Sequence, residues 1–216
     1  MTERSTGTPT SSVTAGLRER RTEAVRDALT DTALKLFDAS SFDTVSVGDI
    51  AAAAGMSERT FFRYFQSKDD VVLQYERALD ARLVDALANR PAAEPPRVAL
   101  MNAYIETADT PLRHRDKVRR RGRLLSASPG LRSRAWGERQ SRVDAICSVL
   151  HQRSGDEMGS DEEWALRILA VAMSAVATEA WTTWVEGSGA GNPADTLRHA
   201  FAIAGARWGG PTEDDS

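Results

Sequence analysis

Only one cysteine, Cys147, occurs in 216 residues. No internal disulfide framework can form, and a reducing compartment suits the chain. Histidine is almost as scarce. His114, His151 and His199 stand far apart without metal-ligand spacing, so no metal site is expected. Cys147 lies beside Ile146 and Val149 with no neighbouring base, which reads as a buried thiol rather than a nucleophile. "GSGAGNP" at Gly187 lacks the preceding strand and the trailing lysine of a phosphate loop. "SGDEMGSDEE" at Ser154 could invite a divalent cation but reads first as an exposed acidic loop that begins a helix. These absences leave no catalytic set, so neither an enzyme nor a cofactor is expected.

An excess of one charge is missing too. Lys and Arg number 28 against 31 Asp and Glu, a net charge of −3, so bulk charge does not announce nucleic acid. Any such binding has to come from local placement of cations. No apolar run is long enough for a bilayer. Trp164 to Val185 comes nearest, but Arg167 and Glu179 interrupt it, and the stretch between them falls short of the ~20 residues a span takes. A buried helix is expected there, and no membrane. The first sixteen residues carry no apolar signal core, so a cytoplasmic protein is expected. Neither β alternation nor an internal repeat is found.

What is present is helical periodicity, and the fold class it predicts is all-α. Residues 1–16, rich in Ser, Thr, Gly and Pro, read as a disordered tail, and so does the acidic 209–216. Between them a domain of short helices is expected over 17–68 and a larger helical domain over 69–208. From Arg18 to Ala39 the apolar positions Val25, Leu29, Ala33, Leu36 and Phe37 mark a one-sided helix. Short helices over 46–54 and 57–65 follow, then a longer one from Ser67 towards Asn89. Beyond the turn or linker "RPAAEPP", helices are predicted near 97–109, 113–126, 130–153, 161–186 and 194–208.

The densest chemistry is "MSERTFFRYFQSKDD", Met56 to Asp70, with Phe61, Phe62, Tyr64 and Phe65 in five positions and Arg59, Arg63 and Lys68 threaded among them. Ser46 with Asp49, Ser57, and Ser67 with Asp70 offer three helix caps, and Val45/Ile50 and Met56/Phe61 offer two hydrophobic staples. Helix, tight Gly55 turn and helix make a helix-turn-helix. At 100° per residue Phe61 and Phe65 face inward, while Arg59, Thr60 and Arg63 face solvent. Set in a major groove, Arg59 or Arg63 can reach guanine and Thr60 a thymine methyl, with Ser46 and Lys68 on phosphates. Across 17–68, however, eight cations are matched by eight acids, so the cations must be segregated onto one surface.

"RDALTDTALKLFDASSFDTVSVGDIAAAAGMSERTFFRYFQSKDDVV", Arg26 to Val72, resembles the DNA-binding domain of TetR-family transcriptional regulators. The resemblance implies Thr44 and Ser46 near phosphates, Tyr64 and Lys68 clamping the backbone, and Ser57, Glu58, Arg59, Thr60 and Arg63 at or near bases. Position 62, commonly a tyrosine on a phosphate in that family, is Phe62 here. "SERTFFRYFQSKDDVV" and "HRDKVRRRGRLLSASPGLRSRAWGERQSRVDAI" resemble the mycofactocin-regulator-like branch, which implies an acyl-CoA-like ligand. Arg119, Arg120, Arg123, Arg132 and Arg134 would then receive phosphates, and Met101, Tyr104, Leu124, Trp136 and Trp181 an apolar tail. The resemblance further implies a homodimer through the helices near 162–186 and 193–208, binding a palindromic double-stranded DNA operator under the control of a small effector, with repression as the default. The alternative is a ligand-binding or adaptor protein with a vestigial helix-turn-helix.

Overall fold

The computed structural model describes residues 10–155, 158–187 and 191–208, and every regular element among them is helical. In chain order these are α1 (Thr10–Ala39), α2 (Val47–Ala53), α3 (Glu58–Phe61), α4 (Lys68–Ala88), α5 (Pro96–Ala108), α6 (Leu112–Ala127), α7 (Pro129–Ser154), α8 (Ser160–Glu186) and α9 (Pro193–Trp208). Two compact units divide between Val72 and Leu73. That division lies four residues beyond the boundary expected at residue 68, and Val71 and Val72, near the start of α4, are buried. Helix α1 also begins earlier than expected, at Thr10 rather than after residue 16. Extending a formed helix costs far less than starting one, so the Ser/Thr-rich segment joins the helix that follows it. The remaining tail expectations, 1–9 and 209–216, lie outside the described residues.

In the first unit α1 buries Leu29, Ala33 and Phe37 as its apolar spacing predicts, but Leu34 goes inward with them while Val25 and Leu36 are only half-buried. Phe42, Val45, Ile50, Phe61 and Phe65 complete the core. Helix α3 is a single turn instead of the nine residues expected. After Phe61 the chain tightens: Arg63 N–H donates to Thr60 O at 3.2 Å and Tyr64 N–H to Phe61 O at 2.8 Å. So short a segment has little helix propagation to draw on, and what fixes it is its rings. Phe61 and Phe65 are 0% and 2% exposed with centroids 5.7 Å apart.

In the second unit α8 packs against α5, α6, α7 and α9. Its inner face, including Ala170, Met173, Ala177 and Ala180, joins Leu83, Leu87, Leu100, Ile146, Leu150 and Phe201 in one core. By length and composition alone α8 could cross a membrane, but this inner face belongs to that core. A smaller cluster joins Val118 of α6 to Trp184 and Val185 of α8. Here α6 and α8 approach closely at Gly122, where a Cβ would stand 2.5 Å from Val185 Cγ2. The "RPAAEPP" segment is a clamped corner. Arg153 donates to the carbonyls of Arg90 at 2.7 Å and Pro91 at 2.8 Å, and Arg90 pairs with Glu94.

Candidate functional site

The first site is the corner between α2 and α3. Asp49 N–H donates to Ser46 Oγ at 3.1 Å while Ser46 N–H donates to Asp49 Oδ2 at 2.9 Å, a reciprocal cap. The Ser46 hydroxyl also donates to that carboxylate at 2.6 Å. These bonds, the hydroxyl's first, hold the Asp49 carboxyl below its usual range. At the far end of α2, Gly55 N–H reaches Ala52 O at 3.0 Å and Met56 N–H reaches Ala51 O at 2.9 Å. That paired closure needs a left-handed residue, which Gly55 supplies at φ 67°. Ser57 then caps α3 by accepting from Thr60 N–H at 3.2 Å, and its hydroxyl bonds the Thr60 hydroxyl at 3.0 Å.

This corner aims the side chains. Arg59, Phe62 and Arg63 are exposed, while Thr60 and Tyr64 are half-buried. The Arg63 guanidinium lies 5.7 Å from the Tyr64 ring centroid. Glu58 is drawn back over α2, its Oε1 2.8 Å from where a Cβ on Gly48 would sit. Thr44 is tied to Ser41, whose carbonyl accepts from its hydroxyl at 3.1 Å. The two arginines are thus presented outward on a fixed turn, the form a groove-reading element takes. Phe62, 52% exposed and edge-on to Phe61 at 5.6 Å, stands beside them.

One sequence expectation meets a competing geometry. Lys68 Nζ donates to Phe42 O at 2.7 Å, Val45 O at 3.0 Å and Asp43 O at 3.3 Å, and lies 4.6 Å from the Phe42 ring centroid. An ammonium has three hydrogens, and three carbonyls take them. Lys68 ties the 42–45 loop to the start of α4 instead of standing free for a phosphate. No spacing in the sequence signals that closure.

The second site is a cavity of about 400 Å³ in the second unit, lined from α4, α5, α6, α7, α8 and α9. Leu79, Leu83, Leu125, Ala177, Trp181 and Leu197 give it apolar walls. Asp80 on α4 lies 3.1 Å from Arg142 Nε on α7. The Nε–H is not aimed at the carboxylate, and it is buried without a hydrogen-bond partner. Burial pushes the Asp80 carboxyl up to about 6; Arg142 opposes that rise and the charges of Glu76 and Glu138 add to it. Burial first, then Arg142, pulls Arg139 below the usual guanidinium range. Tyr104 shares a 2.7 Å hydrogen bond with Ser174, and burial raises its phenol.

Behind the cavity Arg121 is 2% exposed. Its Nη2 donates to Glu76 Oε1 at 2.7 Å and its guanidinium lies 3.6 Å from the Tyr75 ring centroid. A cation buried this deeply is tolerable only when paired.

Of the expected ligand residues, Tyr104 and Trp181 line the cavity. Arg119 instead donates to Val185 O at 3.4 Å and Gly187 O at 2.6 Å, closing the end of α8. Arg123 is exposed, Arg120 and Leu124 are half-buried away from the cavity, and Met101 packs on the main core. Trp136 is 60% exposed, because its neighbour Ala135 takes the inward position. Arg134 is exposed, whereas Arg132 does line the cavity. Sequence reading missed Asp80, Arg121, Arg139 and Arg142. For Arg121 a signal existed: Val118, Gly122 and Leu125 mark the inner stripe of α6, and Arg121 falls within it. Among the described residues no cluster has metal-ligand composition.

Comparison with known proteins bears on both sites. Residues 29–75 match the model for bacterial regulatory proteins of the tetR family, and residues 94–208, over half of the chain, match the model for the MftR C-terminal domain. The HTH-type transcriptional regulator TcmR of Streptomyces glaucescens is 30% identical over 78% of this chain and 76% of its own length. The chain belongs to the TetR family of transcriptional regulators. A protein named as the mycofactocin biosynthesis transcriptional regulator MftR, from Mycobacterium tuberculosis, is 28% identical over 87% of this chain and 92% of its own length. Native NalD of Pseudomonas aeruginosa, at 20% identity, shares the fold with a TM-score of 0.60 over 89% of this chain and 99% of its own. In this TetR-family regulator the matched N-terminal segment contains the whole α2–α3 corner, and the MftR-like segment contributes most of the cavity wall.

Proposed function

We propose that this TetR-family regulator is a ligand-operated repressor that binds a palindromic DNA operator as a homodimer. The observation that carries the proposal is the cavity of about 400 Å³, within the range of small-molecule sites, in a chain whose α2–α3 corner presents Arg59 and Arg63 outward. Helix α4 starts against the 42–45 loop through Lys68 and, further along, supplies Glu76 and Asp80 to the cavity. A small amphipathic effector that fits one arrangement of these elements better than another shifts the population, by no more than its differential affinity.

Dimerisation through α8 and α9 draws support from an exposed apolar stripe. Trp164, Ile168 and Val171 follow one another at helical spacing on α8 at 67%, 49% and 49% exposure, and Ile203 on α9 is 51% exposed. Contiguous apolar surface of this kind marks an interface, and a two-fold dimer reads half-sites about one helical turn apart. An acyl-CoA effector loses the support of Arg119, Arg120 and Arg123, which do not line the cavity.

The test is fluorescence anisotropy of the purified protein against DNA flanking its own gene, over a salt series. Specific binding that weakens steeply with salt is expected. Absence of binding there, and to operators selected from random DNA, would overturn the DNA-binding reading and leave a ligand-binding adaptor.

A further inference from the structure

Acids outnumber arginines in the cavity lining, Glu76, Asp80, Glu138 and Glu186 against Arg132, Arg139 and Arg142, yet it is arginine donors that are left without partners. Two of its acids are matched by cations that do not line it: Glu76 is taken by Arg121 at 2.7 Å and Glu138 by Arg77 at 3.5 Å. Asp80 has the misaligned Arg142 and, more weakly, the charge of Arg139. Among the described residues the buried side-chain atoms lacking a hydrogen-bond partner are all arginine Nε atoms, and two of the three, on Arg121 and Arg142, belong to this network. Arg139 lines the cavity, half-buried, and donates no hydrogen bond to a described residue. Leaving such donors unmatched in a site of low dielectric is costly, so the missing partner is an acceptor.

Resting on the reading of this cavity as the effector site, we infer that it takes a compact amphiphile with a single anionic oxygen centre, such as a carboxylate, seated on Arg139 and Arg142. The apolar walls hold its body. Arginine's planar fork matches a carboxylate in two parallel bonds. A cationic ligand would have to compete with Arg139 and Arg142 for Asp80, while Glu76 and Glu138 are already paired. A nucleotide-bearing thioester needs more room than about 400 Å³ and several cations for its phosphates, and of the further arginines only Arg132 stands at the wall.

The arriving negative charge faces Asp80. The groups around that carboxylate are Glu76 on its own helix, Tyr104 on α5 and Glu138, Arg139 and Arg142 on α7, with the exposed Arg132 of α7 and Glu186 of α8 also at the cavity wall. A second anion on Arg142 drives Asp80 to take up a proton, so affinity for the anionic ligand rises as pH falls from 8 to 6.

Calorimetry on the full-length protein tests this with two scaffolds, octyl and 1-naphthyl, each carrying a carboxylate, an alcohol or an ammonium, together with octanoyl-CoA. In at least one scaffold the carboxylate should bind tenfold or more tighter than the alcohol, with proton uptake seen as a buffer-dependent heat. Arg139→Gln should abolish that preference, and Asp80→Asn should abolish the proton uptake. Equal or tighter binding of alcohol or ammonium, or a preference that survives Arg139→Gln, overturns the anion assignment and leaves the effector cavity standing. Octanoyl-CoA binding tenfold tighter than octanoate overturns the compact ligand in favour of a phosphate-bearing one. If no probe binds at millimolar concentration, the cavity is not the effector site and the inference falls with it.

Discussion

In the first unit Arg59 and Arg63 stand in solvent on a turn whose Phe61 and Phe65 rings are buried. In the second, Arg121 is buried while Trp136, from an equally arginine-rich segment, is exposed. Arginine therefore does opposite work in the two places. Outside, it costs the fold nothing and is available to a partner. Inside, it is unavailable until an acid matches it, and it then fixes which acids stay free. The contrast teaches that a basic run in the sequence says little about binding until each cation is placed on one side or the other of its helix.

The sharpest way to break this contrast is to remove an inner cation. Arg121→Met should lose ~2–3 kcal/mol in chemical denaturation, because the half-buried Glu76 is left without its partner. Adding Glu76→Gln should recover most of the loss. If Arg121→Met alone leaves stability unchanged, the inner arginines are no different from the outer ones. The outer counterpart is Arg59→Ala or Arg63→Ala. Stability should move by no more than ~0.5 kcal/mol, while discrimination among operator variants falls by ~1–3 kcal/mol for each arginine withdrawn from its base. Unchanged preference for every variant would end the direct-readout role.

Lys68 sits between the two cases. With its three hydrogens on carbonyls, Lys68→Met should lower thermal stability by ~1–2 kcal/mol and leave the salt dependence of DNA binding as it was. A salt slope smaller by about one unit would mean that Lys68 leaves its loop for a phosphate. The smallest effect belongs to Asp80. Its folded-state carboxyl is raised to about 6, so the folded form takes up a proton between about pH 6 and the ordinary carboxylate range, where the unfolded chain is still ionised. Folding therefore gains stability as pH falls through that window. The Tm of the parent protein should rise relative to Asp80→Asn as pH drops from 7.5 to 5. A constant difference would show that burial does not raise this carboxyl.

The first unit was legible in sequence because its determinants are local. Each cap joins residues three apart, as in Ser46 with Asp49 or Ser57 with Thr60, and the inward pair Phe61 and Phe65 follows from helical spacing. Even there the Lys68 closure escaped, since its partners lie 23 to 26 residues away. The helices of the second unit were legible to within one or two residues at most ends, with Pro96 and Pro129 at first-turn positions where the missing N–H costs nothing. The cavity was not. Glu76 and Arg121 are 45 residues apart, and no local pattern couples Asp80 to Arg142 across α4 and α7. Arginines at 119, 120, 121 and 123 look alike as a string, and their fates differ because one step along a helix is a 100° turn.

The sealed Arg121 also constrains how this protein can change over generations. A guanidinium does not shed its charge at any pH a cell meets. A lineage that loses Glu76 first, or Arg121 first, must survive an intermediate several kcal/mol weaker, out of a total stability of typically 5–15. Descent by single steps thus holds the two positions together although both lie outside the α2–α3 corner, and relatives that keep the Tyr75 stack should carry both charges or neither.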